Sequence, residues 1–108
     1  YYSKTYKQWM EAAAASLARL SVTRHDQGAL LPVEALRVQV DHIVARPKST
    51  QRMYPRGDVD NYAKATLDAV TACGQVWTDD DQVLSLTTTK RFALSGEEPH
   101  TKVTVWRI

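Results

Sequence analysis

Apolar and polar residues alternate with two different periods along the chain, and these periods divide it into elements. From about Ser3 to Leu20 the apolar side chains recur every three or four residues, which predicts an amphipathic helix. Between residues 21 and 34, Gly28 and Pro32 stand among polar residues, and such punctuation predicts a loop.

Apolar side chains then occupy every second position from Leu36 to Val44. This period predicts a half-buried strand, because alternate side chains of a strand point to opposite faces. The strand should end near Ala45, since Pro47 lacks a ladder donor and biases its predecessor towards an extended form.

Helical periodicity returns over residues 60–73, where apolar residues again fall at three- and four-residue steps. Gly74 follows at the position where a glycine commonly closes a helix. Residues 83–92 and 102–108 have the composition and alternation of strands. The turn residues at 95–99 between them predict that these last two strands form an antiparallel hairpin.

Composition is that of one ordinary globular domain. The chain has 108 residues, of which 44% are hydrophobic and 24% charged, with a net charge of +2. We therefore predict a single domain over residues 1–108. Cys73 is the single cysteine, which excludes an intrachain disulfide and fits a reducing cytoplasm. No apolar run is long enough to span a membrane.

Candidate chemistry lies at the start of the second helix. Asp58 and Asp60 are two carboxylates one residue apart, and Lys64 follows one helical turn later. Mg²⁺ prefers oxygen ligands of this kind, often one or two carboxylates with substrate phosphate. Either aspartate could instead be a helix cap. A second acidic cluster, Asp79–Asp81, lies further along; by itself this triplet is more typical of an acidic turn.

A basic segment precedes the first acidic pair. Residues 46–57 contain two prolines, a terminal glycine and no acidic residue, which predicts a loop. Four cations lie within it: Arg46, Lys48, Arg52 and Arg56. Such a loop could simply be solvated, but its position directly before Asp58 favours contact with a phosphate backbone. Carboxylates for a metal beside cations for phosphates indicate metal-assisted phosphodiester hydrolysis.

The spacing of these residues resembles a known family. The pattern is Asp58-x-Asp60-Asn61-x-x-Lys64-x-x-x-Asp68, followed by Trp77-x-Asp79-Asp80-x-Gln82-Val83. It is similar to the RusA family of Holliday-junction resolvases of bacteria and prophages, and the matching region extends from about Arg46 to Lys90. A spaced constellation of this kind is far more specific than an isolated Asp-x-Asp.

The resemblance implies an α/β (α+β) subunit in which a small mixed sheet of about four strands packs with two main helices. It also implies a cytoplasmic homodimer that binds four-way DNA junctions and nicks two strands symmetrically. It implies that the nuclease uses Mg²⁺, with Mn²⁺ as a possible substitute. It also implies that the protein needs no small-molecule cofactor and does not bind a membrane. By position, Asp58, Asp60 and Asp80 correspond to the catalytic, metal-binding carboxylates, and Lys64 to the catalytic lysine. The expected DNA contacts are Arg46, Lys48, Arg52, Arg56 and Lys90. We expect acids some twenty positions apart to meet in one pocket.

Two departures from the family pattern stand out. The family usually opens with a strand and a Pro-Pro-Ser-x-Asn segment, and neither occurs in this sequence, so that strand is expected to precede Tyr1. Asp81 makes the second cluster a triplet, which leaves open which acid faces the metal. Three other functions stay open: a nuclease for other branched DNA, an inactive junction-binding module, and a structural protein whose acids are caps and turns.

Overall fold

The computed structural model describes residues 18–24 and 34–108 of the chain. In order, its elements are β1 (Leu20–Arg24), β2 (Leu36–Val44), α1 (Val59–Cys73), a 3-10 turn (Asp80–Gln82), β3 (Val83–Phe92) and β4 (His100–Arg107). Within these residues no helix has the length and apolar character needed to cross a membrane.

Most predicted elements are confirmed. Strand β2 has the predicted limits, α1 begins one residue before its predicted start, and Gly74 closes it in the left-handed conformation with φ of 69°. Residues 45–57 contain no helix or strand. The predicted helix from Ser3 to Leu20 lies outside the described residues, except for its last three positions. There the prediction is wrong, because Ala18 and Arg19 form a turn and Leu20 begins β1.

Strand β1 corrects the prediction of a loop from residue 21. Ser21 to Arg24 extend beside β4, with Val22 opposite Val103 in a parallel pair. Of these five residues Leu20 and Val22 pack against the core, and this alternation is too short to be recognised locally. They become a strand because β4 offers them a partner edge. The rest of the predicted loop, residues 25–33, lies outside the described residues.

The four strands form one mixed sheet in the order β1-β4-β2-β3. Strand β2 pairs with β3 in parallel and with β4 in antiparallel orientation. The fold is therefore of the α+β class, as predicted. The predicted β3–β4 hairpin is wrong, because β2 lies between those two strands. Strand β2 takes the inner position since it is the most apolar strand, and inner strands are screened from water on both edges.

The core lies between the sheet and α1. Its buried members come from β2, β4, α1 and the segment after α1: Leu36, Val38, Val40, Val70, Val76, Trp77, Val103 and Val105. Trp77 is fully buried, and its indole N–H donates to Thr71 Oγ1 at 2.6 Å. This bond satisfies the one polar group that the indole brings into the core.

Helix α1 connects two parallel strands and therefore runs against their direction. Its start lies at the carboxyl ends of β2 and β3, where the rings of His42 and Tyr62 are 5.3 Å apart. The last turn of α1 lies at the opposite end of the sheet, where β2 and β3 begin. At 1.5 Å per residue, the 15 residues of the helix place these two ends of the sheet about 22 Å apart. This separation governs the geometry of the candidate site.

Candidate functional site

The first acidic pair stands at the start of α1 without being used to cap it. Asp58 is extended, with φ of −76° and ψ of 139°, and its side chain makes no capping hydrogen bond. Its carbonyl oxygen accepts from the N–H groups of Asn61 and Tyr62 at 3.1 and 3.3 Å. Asp60 lies in the first turn and is exposed. Both carboxylates are thus free for a ligand at the positive end of the helix dipole.

Lys90 fixes the backbone that leads into Asp58. From β3, its ammonium group donates to the carbonyl oxygen of Pro55 at 2.7 Å and also to that of Gly57. Gly57 has φ of 91°, so the turn at this point uses a conformation that suits glycine. Burial lowers the pKa of Lys90, the charge of Arg52 lowers it further, and the charge of Asp58 opposes both.

A second bond ties the same segment to α1. The hydroxyl of Tyr62 donates to the carbonyl oxygen of Arg56 at 2.9 Å, and Pro55 is buried. The last residues of the basic loop are therefore held by both β3 and α1. Since residues before a helix set its direction, these contacts also fix where Asp58 stands.

The rest of the basic loop is open to solvent. Arg46 and Lys48 are exposed, as are Met53 and Tyr54. The guanidinium of Arg52 lies 4.8 Å from the centre of the Tyr54 ring, and its Nε donates to the Tyr54 carbonyl oxygen at 3.2 Å. Cations and exposed apolar side chains thus lie together, at the same edge of the sheet as Asp58. That combination suits a nucleic-acid backbone with bases accessible to stacking.

Lys64 projects from the same end of α1. It is exposed and lies one turn beyond Asp60. Within the described part of the chain, no salt bridge involves its ammonium group. Asp60 and Lys64 therefore do not form an ion pair with each other, and the amine is available to a ligand.

The second acidic cluster is built differently. The carboxylate of Asp79 accepts from the N–H of Asp81 at 3.0 Å, which makes it the cap of the 3-10 turn. The side-chain oxygen of Gln82 accepts from the N–H groups of Thr78 and Asp79. The Gln82 amide nitrogen donates to the carbonyl oxygen of Glu34, at the start of β2. The cluster is thus anchored at the end of the sheet where β2 and β3 begin.

One chain does not bring the two acidic clusters together. Lys90 marks the Asp58 end of β3, whereas Asp80 precedes Val83 at its beginning. Seven residue steps of about 3.3 Å separate those ends by about 23 Å. Among residues 18–24 and 34–108, no three His, Cys, Asp or Glu side chains lie together as a metal site. The expected common pocket is not formed within one chain. Because α1 joins two parallel strands, it begins at one end of these strands, with Asp58, and the chain after it reaches the other end, with Asp80.

The structure shows that three residues position the backbone around the acidic clusters, a role that the sequence did not indicate. Lys90 was predicted as a DNA contact, yet its ammonium is engaged by the loop carbonyls. Gln82 belongs to the recognised pattern, and its hydrogen bonds explain why a glutamine stands there. Tyr62 gave no functional signal in the sequence, because an aromatic residue on the inner helix face is typical of a core.

Comparison with known proteins identifies a family for this chain. The family model for endodeoxyribonuclease RusA matches residues 1–106. Searches of curated proteins and of solved structures each found no match. The family match covers nearly the whole chain, and it includes the aspartates and the lysine at the start of α1 together with the later Asp-Asp-x-Gln segment. The chain belongs to the RusA family of endodeoxyribonucleases.

Proposed function

We propose that this protein resolves four-way DNA junctions by paired symmetric nicks, as a Mg²⁺-dependent homodimer acting in recombination and repair in a bacterial cytoplasm. The observation that carries the proposal is the free Asp58–Asp60 carboxylate pair beside the basic loop that Lys90 and Tyr62 fasten. Acidic oxygens next to phosphate-binding cations are the elements that phosphodiester hydrolysis requires.

Family membership supplies the general activity. The protein is an endodeoxyribonuclease of the Holliday-junction resolvase class, and its family acts on branched DNA junctions. Nucleases of this family generally depend on a divalent metal ion. The identity of the ion is our proposal: Mg²⁺, with Mn²⁺ as a substitute, because carboxylate oxygens are the ligands that these hard cations prefer.

The metal ligands that we propose are Asp58, Asp60 and Asp80. The chemistry of the first two fits a divalent cation, since both are exposed carboxylates without a hydrogen-bonding role in the helix cap. Asp80 does not fit within the same chain, because it lies at the far end of β3. When bound, such an ion supplies positive charge for the phosphate and acidifies water.

The remaining roles follow from position and charge. Lys64 is proposed as the catalytic lysine: its ammonium would neutralise charge that develops on the phosphate, or donate a proton to the leaving oxygen. Backbone phosphates would be held by cations that give affinity and register rather than base selection. The proposed contacts are Arg46, Lys48, Arg52 and Arg56, with Lys90 contributing while it holds the loop.

The decisive experiment compares Asp60→Asn with Glu98→Gln on a synthetic four-way junction. Both residues are exposed carboxylates, but Glu98 lies in the turn before β4 and outside the recognised pattern. We expect Asp60→Asn to lower the cleavage rate by roughly a hundredfold or more, since it removes transition-state charge stabilisation, while junction binding stays near wild type. The control should cleave normally. A fully active Asp60→Asn variant would remove this residue from the site.

Substrate controls separate the remaining functions. Paired nicks in the junction, dependent on Mg²⁺ and weak on duplex and flap DNA, support resolution of four-way junctions. Comparable cleavage of flaps would identify a nuclease for branched DNA in general. Tight junction binding without cleavage in either Mg²⁺ or Mn²⁺ would identify an inactive binding module.

A further inference from the structure

The end of the basic loop is held by side chains, because residues 45–57 contain no helix or strand. The carbonyl oxygens of four consecutive residues, 54–57, each accept a hydrogen bond from a side chain. The donors are Arg52 for residue 54, Tyr62 for residue 56, and Lys90 for both residue 55 and residue 57. These bonds satisfy backbone groups that have no ladder partner, and Lys90 makes two of the four.

One of the two Lys90 contacts acts directly on the acidic pair. The carbonyl carbon of Gly57 is bonded to the nitrogen of Asp58, and a peptide unit is planar. An ammonium group that holds the Gly57 oxygen therefore fixes the plane in which the nitrogen and Cα of Asp58 lie. On the other side, the Asp58 carbonyl oxygen accepts from the N–H groups of Asn61 and Tyr62. Asp58 thus stands between two fixed peptide units, and the rotamers open to its side chain depend on them.

The conformation of Gly57 makes this contact necessary. Its φ is 91°, and glycine populates positive and negative φ about equally. The peptide unit between Gly57 and Asp58 could therefore turn to other orientations at little conformational cost. The hydrogen bond from Lys90 selects one of them. The bond to Pro55, which is buried, anchors the same ammonium group to the body of the protein.

The ammonium group of Lys90 has little capacity left for DNA. It has three N–H donors, and carbonyl oxygens use two of them. Its nitrogen also lies 5.6 Å from the centre of the Tyr54 ring, within the range of a cation–π contact. Lys90 is partly buried, whereas Arg46 and Lys48 are exposed. A phosphate at Lys90 would displace contacts that hold the loop, while the exposed cations are open to it.

We propose that Lys90 is a positioning residue, which orients the peptide unit between Gly57 and Asp58 and so aims the Asp58 carboxylate for cleavage. The role of that carboxylate rests on the proposed function, whereas the hold of Lys90 on the loop does not. Lys90 then contributes to DNA binding only through the loop that it holds. Its loss should slow the cleavage step and leave affinity nearly unchanged, since a misplacement of about 1 Å can cost about a hundredfold in rate.

Single-turnover cleavage of a synthetic four-way junction separates positioning from phosphate binding. With enzyme in saturating excess, Lys90→Met should cleave at least about tenfold more slowly, while its junction affinity and salt dependence stay near wild type. Lys48→Met is the contrast, because its slope of log affinity against log salt should become shallower by roughly 1. Arg24→Met removes an exposed cation from β1 and should match wild type. A normal saturated rate for Lys90→Met, or a slope as shallow as that of Lys48→Met, overturns the proposal.

A second variant disturbs the same peptide unit without changing any charge. Gly57→Ala puts a Cβ at positive φ, which alanine disfavours, so it should turn this unit away from Lys90. We expect a slower saturated rate with an unchanged salt slope. The double variant with Lys90→Met should lose little more than either single variant, because both changes act through one contact. A normal rate for Gly57→Ala, or losses that multiply in the double variant, contradicts the proposal. Gly57→Ala alone decides the matter if circular dichroism shows Lys90→Met to be unfolded.

Limited proteolysis measures the hold on the loop without any cleavage of DNA. Trypsin cuts after arginine, and the bond after Arg56 lies between the two carbonyl groups that Lys90 holds. Lys90→Met should be cut at this bond faster than wild type and Arg24→Met, because local opening exposes it, and mass spectrometry identifies the fragments. Equal rates of cutting mean that Lys90 does not hold the loop. If the wild-type protein cleaves no junction, the proposed function fails, while proteolysis still decides what Lys90 holds.

Discussion

The carboxylate of Asp58 makes no capping hydrogen bond, although the backbone on both sides of it is held in place. The Asp58 carbonyl oxygen accepts from the N–H groups of Asn61 and Tyr62, while Lys90 donates to the carbonyl oxygens of Pro55 and Gly57 just before it. Each contact satisfies a polar backbone group at a point where the chain turns sharply. The result is an acidic side chain whose backbone is fixed and whose oxygens are available.

His42 gives a prediction at the same scale. It is 1% exposed, and neither ring nitrogen has a hydrogen-bond partner among the described residues. Burial lowers the pKa of His42 to about 4, against a smaller opposing effect of Asp41. Above its ordinary pKa of 6.5, the imidazole is neutral in both states. Between that pH and about 4, the unfolded chain takes up a proton that the folded chain excludes.

We therefore expect stability to fall as pH decreases from about 6.5 to about 4, with His42 contributing at most about 3 kcal/mol of that loss. Urea unfolding at several pH values should show a shallower loss for His42→Phe than for wild type. A parallel pair of stability curves would show that His42 does not cause the pH dependence.

At the scale of elements, α1 depends on its ends as well as on its buried face. Tyr62, Ala63, Thr66 and Val70 are its buried side chains, and they fall at helical steps towards the sheet. Gly74 ends the helix in the left-handed conformation, and its N–H donates to the carbonyl oxygen of Thr71 at 3.1 Å. A Cβ added at this position would have open space around it.

Replacement of Gly74 should consequently cost backbone strain alone. We expect Gly74→Ala to lower the free energy of unfolding by about 1 kcal/mol, because alanine is disfavoured at positive φ. Gly74→Asn is the matched variant, since asparagine tolerates this conformation, and it should lose less. Thermal or urea unfolding measures both. A loss for Gly74→Asn that equals or exceeds the loss for Gly74→Ala would show that backbone conformation does not set the requirement.

At the scale of the whole molecule, the mild net charge of +2 conceals a marked separation of charges. The basic loop lies at the end of the sheet where β2 and β3 finish, and the Asp79–Asp81 cluster lies at the end where they begin. A polyanion should approach the basic edge, and its affinity should depend on salt in proportion to the phosphates contacted.

The double variant Lys48→Ala/Arg52→Ala tests this dependence. For two phosphate contacts, the slope of log affinity against log salt should become shallower by roughly 2. Arg24→Ala is the control, because Arg24 is an exposed cation on β1 and pairs with Val105 towards the other end of the sheet. Junction binding measured at four or five salt concentrations gives the slopes. An unchanged slope in the double variant would show that the loop is merely solvated.

Local patterns in the sequence were sufficient to place β2, α1, β3 and β4 along the chain. They also placed the Asp58–Asp60 pair at a helix start and the cations in a loop, and the spacing of the acids indicated the family. These features depend on periods of two or 3.6 residues and on turn chemistry, which are properties of neighbouring residues.

Strand order, by contrast, was decided by the tertiary structure. The expected β3–β4 hairpin gave way to a sheet in which β2 separates the two strands, because the strand with most apolar side chains gains most from an inner position. Because β2 pairs with β3 in parallel, Asp80 lies at the end of the sheet opposite the end that holds Asp58. Which edge an acid occupies depends on pairing between distant segments, and no local period of the sequence contains that information.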